Sequence, residues 1–173
     1  MSEIYKELNL KLIFLGHGAV GKTSLVNAMM GREVLEKYLP TIGSTIEKKE
    51  YHIETQDVTI TLNLWDLGGR RAFNPLNPAF FKNTDIAFLV IDVSEPEKSI
   101  VNLKTTYLDL LVQHQMGESL IIIVGNKNDL DFNENLLREI LYQEELDGFP
   151  IIFTSVLMER IYQIFSNLQY IVI

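Results

Sequence analysis

Three short stretches of the chain combine residue types that can hold phosphate, a divalent metal and a purine base. The first, Gly16-His17-Gly18-Ala19-Val20-Gly21-Lys22-Thr23, fits the pattern GxxxxGK[ST]. Its glycines let the backbone curl so that successive N–H groups turn inward toward phosphate oxygens. Gly18, Ala19, Val20, Gly21 and Ser24 complete this cradle around Lys22. The lysine adds a point charge between β- and γ-phosphates, and the Thr23 hydroxyl can ligate Mg²⁺. A helix beginning near Lys22 places its positive end under the anion. His17 has no group nearby to exchange a proton with and reads as a filler position.

The second stretch is Leu64-Trp65-Asp66-Leu67-Gly68-Gly69. A carboxylate at the C-terminal end of a parallel strand lies where α/β folds bind ligands, so Asp66 can hold Mg²⁺ directly or through water. Gly69 permits a close backbone approach, and its N–H can reach a γ-phosphate oxygen. Between these stretches runs Tyr38-Leu39-Pro40-Thr41-Ile42-Gly43. Thr41 can offer a second hydroxyl to Mg²⁺ when a γ-phosphate is present, and Tyr38 can lie across the phosphates. Taken singly, Asp-Leu-Gly-Gly is equally a turn, and the Tyr38 segment equally an exposed Pro-containing loop. Their spacing from the phosphate loop is what points to a site.

The third stretch, Asn126-Lys127-Asn128-Asp129, fits NKxD. A carboxylate at position 129 can accept two hydrogen bonds from guanine N1 and N2. Adenine lacks that donor pair, and an unpaired buried carboxylate is costly, so Asp129 discriminates between the bases. The Lys127 stem can pack along the base, and Asn126 can tie this loop to the phosphate loop. Thr154-Ser155-Val156 can supply a backbone N–H to guanine O6, with Ser155 and Val156 as the contacting residues. Together the residues call for GTP or GDP with Mg²⁺.

Such loops need strands to carry them. Strand patterns occur at Leu10–Leu15, Thr45–Glu54, Val58–Trp65, Ile86–Asp92, Leu120–Val124 and Pro150–Thr154. Four are near-continuous apolar runs, as expected for a parallel sheet covered on both faces. Thr45–Glu54 and Val58–Trp65 alternate more and are separated only by Thr55-Gln56-Asp57, which predicts a hairpin and one antiparallel edge strand. Ile100, Leu103, Tyr107, Leu110 and Leu111 follow one buried helical face, as do Leu157, Ile161, Ile164, Phe165 and Leu168. Alternating strands and helices predict an α/β fold, a doubly wound, six-stranded, mostly parallel sheet with helices on both faces. With no repeat or linker visible, residues 1–173 read as one domain.

Composition narrows the function. Apolar residues make up 47% of 173, a globular proportion. There is no cysteine, which argues against disulfides, thiolate metal sites and thiol catalysis and, for residues 1–173, against prenylation and palmitoylation; Ser2 in place of glycine argues against myristoylation. The formal net charge is −8 and no basic run exceeds two residues, which disfavours nucleic acid as a partner. No apolar run is long enough for a membrane span, and no secretory leader is visible. The expectation is a soluble, cytoplasmic protein.

These segments, in this order, resemble the Ras-like small GTPase superfamily over essentially the whole chain. The intervals Gly16 to Thr41 and Lys127 to Ser155 are similar to those of Ras and Rab proteins. Trp65-Asp66-Leu67-Gly68-Gly69 looks like the Arf and Rag branches, and Pro40-Thr41-Ile42-Gly43 is shared by Rab and Arf patterns. The resemblance implies a P-loop NTPase fold of six strands and five helices. It also implies that Thr41 lies in switch I and that Asp66 to about Phe81 carries switch II. The γ-phosphate would order both switches, whose surface effector and regulatory proteins read. On this reading the catalytic set is Lys22, Thr41, Gly69 and Arg70.

Three departures stand out. Arg70 occupies the place of the family's water-orienting glutamine, so slow intrinsic hydrolysis is expected. Val34 stands where many members carry an aromatic ring against guanine. Pro75 and Pro78 limit a continuous helix in switch II. The family's lipid signals are also missing, so membrane attachment would come through a partner. Two other functions are open, the first separated from a hydrolysing switch by Arg70 alone. One is a GTP-binding interaction module with little or no hydrolysis. The other is a P-loop kinase or ATPase, against which Asp129 and the lack of an arginine-rich lid both count.

Overall fold

The computed structural model describes residues 6–34, 41, 43–53, 58–68, 78–101, 103–109, 111 and 119–156. Six strands form one sheet: β1 (Lys6–Leu15), β2 (Ser44–Ile53), β3 (Val58–Leu67), β4 (Ile86–Asp92), β5 (Leu120–Asn126) and β6 (Ile151–Phe153). Their order across the sheet is β2-β3-β1-β4-β5-β6. All neighbours run parallel except β2 and β3, an antiparallel pair in register from Ser44↔Leu67 to Ile53↔Val58. The expected edge hairpin is therefore present, with β2 outermost.

The helical segments are α1 (Lys22–Met29), α2 (Pro78–Phe81), α3 (Pro96–Ile100), α4 (Lys104–Leu108) and α5 (Glu134–Gln143). The expected C-terminal helix around Leu157–Leu168 falls outside the described residues. Burial shows why both sheet faces must be covered. All seven residues of β4 are buried, and in β1 the run Leu12, Ile13, Phe14 and Leu15 is buried without a break. Successive side chains point to opposite faces. Leu12 and Phe14 join Val20, Leu25, Val26 and Met29 in one apolar cluster. Ile13 and Leu15 join Ile100, Leu103, Tyr107, Leu137 and Ile140 in the other. Each fully buried Leu, Ile or Phe contributes ~1.5–3 kcal/mol, which holds the strand ends in place.

Two boundaries differ instructively from the sequence pattern. β1 begins at Lys6 rather than Leu10, because β3 supplies a parallel ladder from Lys6↔Val58 onward that needs no apolar run. β5 continues to Asn126 because β4 pairs it as far as Asp92↔Asn126. Of the 100–111 periodicity, Ile100, Leu103, Tyr107 and Leu111 are buried as expected and Leu110 lies outside the described residues, but the segment is not a single helix. At Val101 the backbone leaves the helical region (φ −50°, ψ 130°), and α4 is a π-helical turn closed by Asp109 N–H on Lys104 O. Pro78 stands at the first position of α2, where proline is tolerated.

Candidate functional site

The loop between β1 and α1 is shaped by two close approaches. Gly16 has φ +143°, and a β-carbon there would lie 2.3 Å from Val90 O. Gly21 has φ +100°, and a β-carbon there would meet Asn126 Nδ2 at 2.3 Å. Neither position accepts a side chain. Gly21 is also the N-cap of α1 and makes no side-chain cap bond. By contrast, α5 is capped by Asn133, whose side chain accepts from Asn135 N–H and Leu136 N–H. The first amides of α1 are thus not taken up by a capping side chain, which suits an anion at that end. Gly18 and Ala19 are exposed at the loop crest, and Ala19 sits in the left-handed region at φ 68°.

Lys22 folds back under this loop. Its Nζ donates to Gly16 O (2.9 Å) and His17 O (2.8 Å), and the residue is only 6% exposed. Burial pushes the ammonium down to about 8, with the charge of Asp66 pulling the other way. An ammonium has three protons, so one is left for an incoming anion.

Three of the predicted metal-binding oxygens meet beside it. Thr23 Oγ1 donates to Asp66 Oδ2 at 2.5 Å and lies 2.5 Å from Thr41 Oγ1. The hairpin ladder explains how Thr41 arrives there: Gly68 N–H donates to Gly43 O (3.0 Å), extending the β2–β3 pairing one step past Ser44↔Leu67. Asp66 is buried, its Oδ1 has no hydrogen-bond partner among the described residues, and burial holds its carboxyl above the ordinary range against the opposing influence of Thr23 and Lys22. A buried carboxylate oxygen left unpaired beside two hydroxyls fits a hard, oxygen-seeking divalent cation. Among the described residues no group of three or more His, Cys, Asp or Glu is gathered, so hydroxyl ligands are essential to such a site.

A second cluster forms at the ends of β5 and β6. Asn126 Nδ2 donates to Val20 O at 2.8 Å, joining this cluster to the phosphate loop. Asn128 N–H donates to Thr154 O (3.2 Å), and Thr154 N–H to Gly125 O (2.9 Å). Lys127, left-handed at φ 65°, pairs with the Asp92 carboxylate. Asp129 is half-buried with no partner among the described residues. Buried oxygens without hydrogen-bond partners also concentrate here: Asn126 Oδ1, Asn128 Oδ1, Thr154 Oγ1 and Ser155 Oγ. Val156 is half-buried at the same rim.

The structure thus brings Lys22, Thr23, Asp66 and Thr41 to one point and links that point to Asn126 and Lys127. Tyr38, Gly69, Arg70 and Pro75 lie outside the described residues. Sequence reasoning missed Asp92, although it ends β4 as Asp66 nearly ends β3, and the same strand-end argument applies to it. Its Oδ1 accepts from Ser94 N–H (3.0 Å) and Ser94 Oγ (2.6 Å) as well. Tyr107 was read only as a core residue, yet its hydroxyl reaches Gly16 O. A cavity of about 690 Å³ lies to one side, lined by Pro96, Asp131, Phe132 and Asn133 among others; none of the predicted site residues lines it.

Comparison with known proteins identifies a family for most of the chain. The family model described as Ras of Complex, Roc, domain of DAPkinase matches residues 11–129. The Ras-related protein RABG3d of Arabidopsis thaliana is 37% identical over 125 residues, covering 70% of this chain and 59% of the relative. Ras-related protein Rab7 of Drosophila melanogaster is 35% identical over 129 residues, covering 73% and 61%. Rab7 of Pisum sativum is 35% identical over 125 residues, covering 70% and 59%. The chain spans about three-fifths of the length of these curated relatives. The matched span runs from the second half of β1 through the Asn126–Asp129 segment and so includes five of the sheet's strands, and the chain belongs to the Roc family of the Ras-like small GTPase superfamily.

Proposed function

We propose that the protein is a guanine-nucleotide switch that binds GTP and GDP with Mg²⁺ and hydrolyses GTP slowly by itself. The observation that carries this reading is the convergence of Lys22, Thr23, Thr41 and Asp66, from three separate segments, with one carboxylate oxygen still unpartnered. Thr23, Thr41 and Asp66 would hold the metal, which when bound neutralises phosphate charge. The loop amides from Gly18 to Ser24 and Lys22 hold the phosphates. Asp129 accepts from guanine, the Lys127 stem lies along the base, and Ser155 and Val156 close the base pocket.

Tyr38 covers the phosphates from switch I, and Gly69 contributes its amide to the γ-phosphate. Arg70 sets the rate. A guanidinium has no acceptor for a water proton, so it cannot orient the attacking water as glutamine does. Gly18 leaves room beside the γ-phosphate for a residue from an activating partner, a contribution of about 10³–10⁵ in rate in such systems. The domain spans residues 1–173, and effectors and regulators dock on switches I and II. Among the described residues no helix is long and apolar enough to cross a membrane.

The test is GTP and ATP binding followed by single-turnover GTP hydrolysis, on the native protein and on Arg70→Gln. GTP should bind far more tightly than ATP, hydrolysis should be slow, and Arg70→Gln should accelerate it. A lower rate in Arg70→Gln would make Arg70 itself catalytic. If neither variant hydrolyses GTP even with activators, the protein is a GTP-binding interaction module. Equal affinity for GTP and ATP would overturn the whole reading.

A further inference from the structure

Gly16 O is unusual in being gripped from two sides within a buried setting. Lys22 Nζ donates to it at 2.9 Å, and the hydroxyl of Tyr107, in the π-helical turn α4, donates to it at 3.0 Å. A carbonyl has two acceptor sites, so Gly16 O is saturated. The Gly16 peptide is further confined by Val90 O, which lies where any β-carbon would project. A second tie runs alongside: His17 Nε2–H donates to Val101 O at 2.9 Å, and the His17 ring meets Tyr107 edge to face, with centroids 6.1 Å apart.

The π turn is what aims the tyrosine. Inserting a residue into a helical turn rotates every following side chain by roughly 100° relative to an unbroken α-helix, and such bulges occur most often at functional sites. Here Asp109 N–H reaches back to Lys104 O, and Tyr107 within that wider turn is buried against the loop while Thr105 is exposed. The break at Val101 frees the carbonyl that His17 uses.

We infer that Tyr107 is a positioning residue for nucleotide binding, acting through Gly16 O on the ammonium of Lys22. The inference rests on the proposed role of the phosphate loop. With the tyrosine hydroxyl in place, Gly16 O divides its acceptor capacity, and Lys22 gives up part of its hold on the loop when a phosphate oxygen competes for it. Without the hydroxyl, Lys22 is the sole donor to a buried carbonyl. It is then drawn toward the loop and away from phosphate, because leaving that carbonyl unpaired is costly.

The experiment is a double-mutant cycle in GDP binding, using Tyr107→Phe, Lys22→Ala and the pair. Tyr107→Phe removes only the hydroxyl and keeps the ring packed. It should speed GDP dissociation about 3- to 10-fold, the range expected for one hydrogen bond. Read by equilibrium GDP titration in all four proteins, the same change should weaken binding about 3- to 10-fold with Lys22 present and less than about twofold in the Lys22→Ala background. Unchanged dissociation in Tyr107→Phe overturns the inference. An equal effect in both backgrounds overturns it too, since the tyrosine would then act through the fold and not through Lys22. Failure of the native protein to bind GDP would instead remove the nucleotide reading, and this inference with it.

Discussion

The two ends of the site are prepared differently. At the phosphate end the polar groups are engaged with one another: Lys22 with two loop carbonyls, Thr23 with both Asp66 and Thr41. At the base end the frame is braced, through Asn126 to Val20 O and Lys127 to Asp92, while the side-chain oxygens of Asn128, Thr154 and Ser155 have no hydrogen-bond partner among the described residues, nor does the half-buried Asp129 carboxylate. On the proposed reading the phosphate end, Asp66 Oδ1 apart, would exchange internal bonds for ligand bonds, while the other end presents acceptors already set. If the proposed nucleotide binds, selectivity would belong to the preset end, because unpaired acceptors penalise any base that cannot donate to them. Sensitivity to the number of phosphates would belong to the end that rearranges, since there different ligands can leave different internal bonds intact.

The largest expected effect tests the preset end. Asp129→Asn should weaken GTP binding by ~1–3 kcal/mol through loss of charge-assisted bonds, while xanthosine triphosphate, with a carbonyl in place of the amino group, gains relative to GTP. Competitive titration reads both. A uniform loss for the two nucleotides would mean that the end is braced but not selective.

A smaller effect separates the ends by ligand. Thr41→Ala should lower Mg²⁺-dependent GTP affinity by ~1 kcal/mol, the worth of one hydroxyl contact, and leave GDP affinity unchanged. Thr41 belongs to the connection between α1 and β2, whereas Thr23 is fixed on α1, so only Thr23 is expected to serve both nucleotides. Equal losses for GTP and GDP would show that the phosphate end does not count phosphates.

The smallest effect sharpens the base end. Val34→Phe supplies the aromatic ring that many relatives place against guanine, and should slow GDP dissociation by a factor matching ~0.5–1 kcal/mol. No change would place residue 34 away from the base.

Much of this was readable from residue order. The near-continuous apolar runs at positions 86–92 and 120–124 are buried strands, and the charged, alternating pair 45–54 and 58–65 is the antiparallel edge. Glycine spacing located the turns whose φ values only glycine accepts, at Gly16 and Gly21. What stayed hidden depends on contacts between distant segments. Asp92 is one carboxylate among many until β4 and β5 pair and bring Lys127 beside it. Tyr107 looks like an ordinary core residue because its spacing satisfies the helical period; the break at Val101 and the π turn that redirects it leave no mark in that period. Arg70 and Tyr38 remain readings of residue type.

The contact between Asn126 and Val20 has a consequence for ligand size. Because Gly21 has no side chain, Asn126 docks directly against the phosphate loop, and the loop that presents Asp129 is clamped at a set span from the loop that presents Lys22. The pair works as a caliper whose jaws cannot slide independently. On the proposed nucleotide reading, a ligand that fills one jaw but is too short to reach the other would gain only part of the available contacts. Length itself would then become a criterion of recognition, set by the absence of a side chain at position 21.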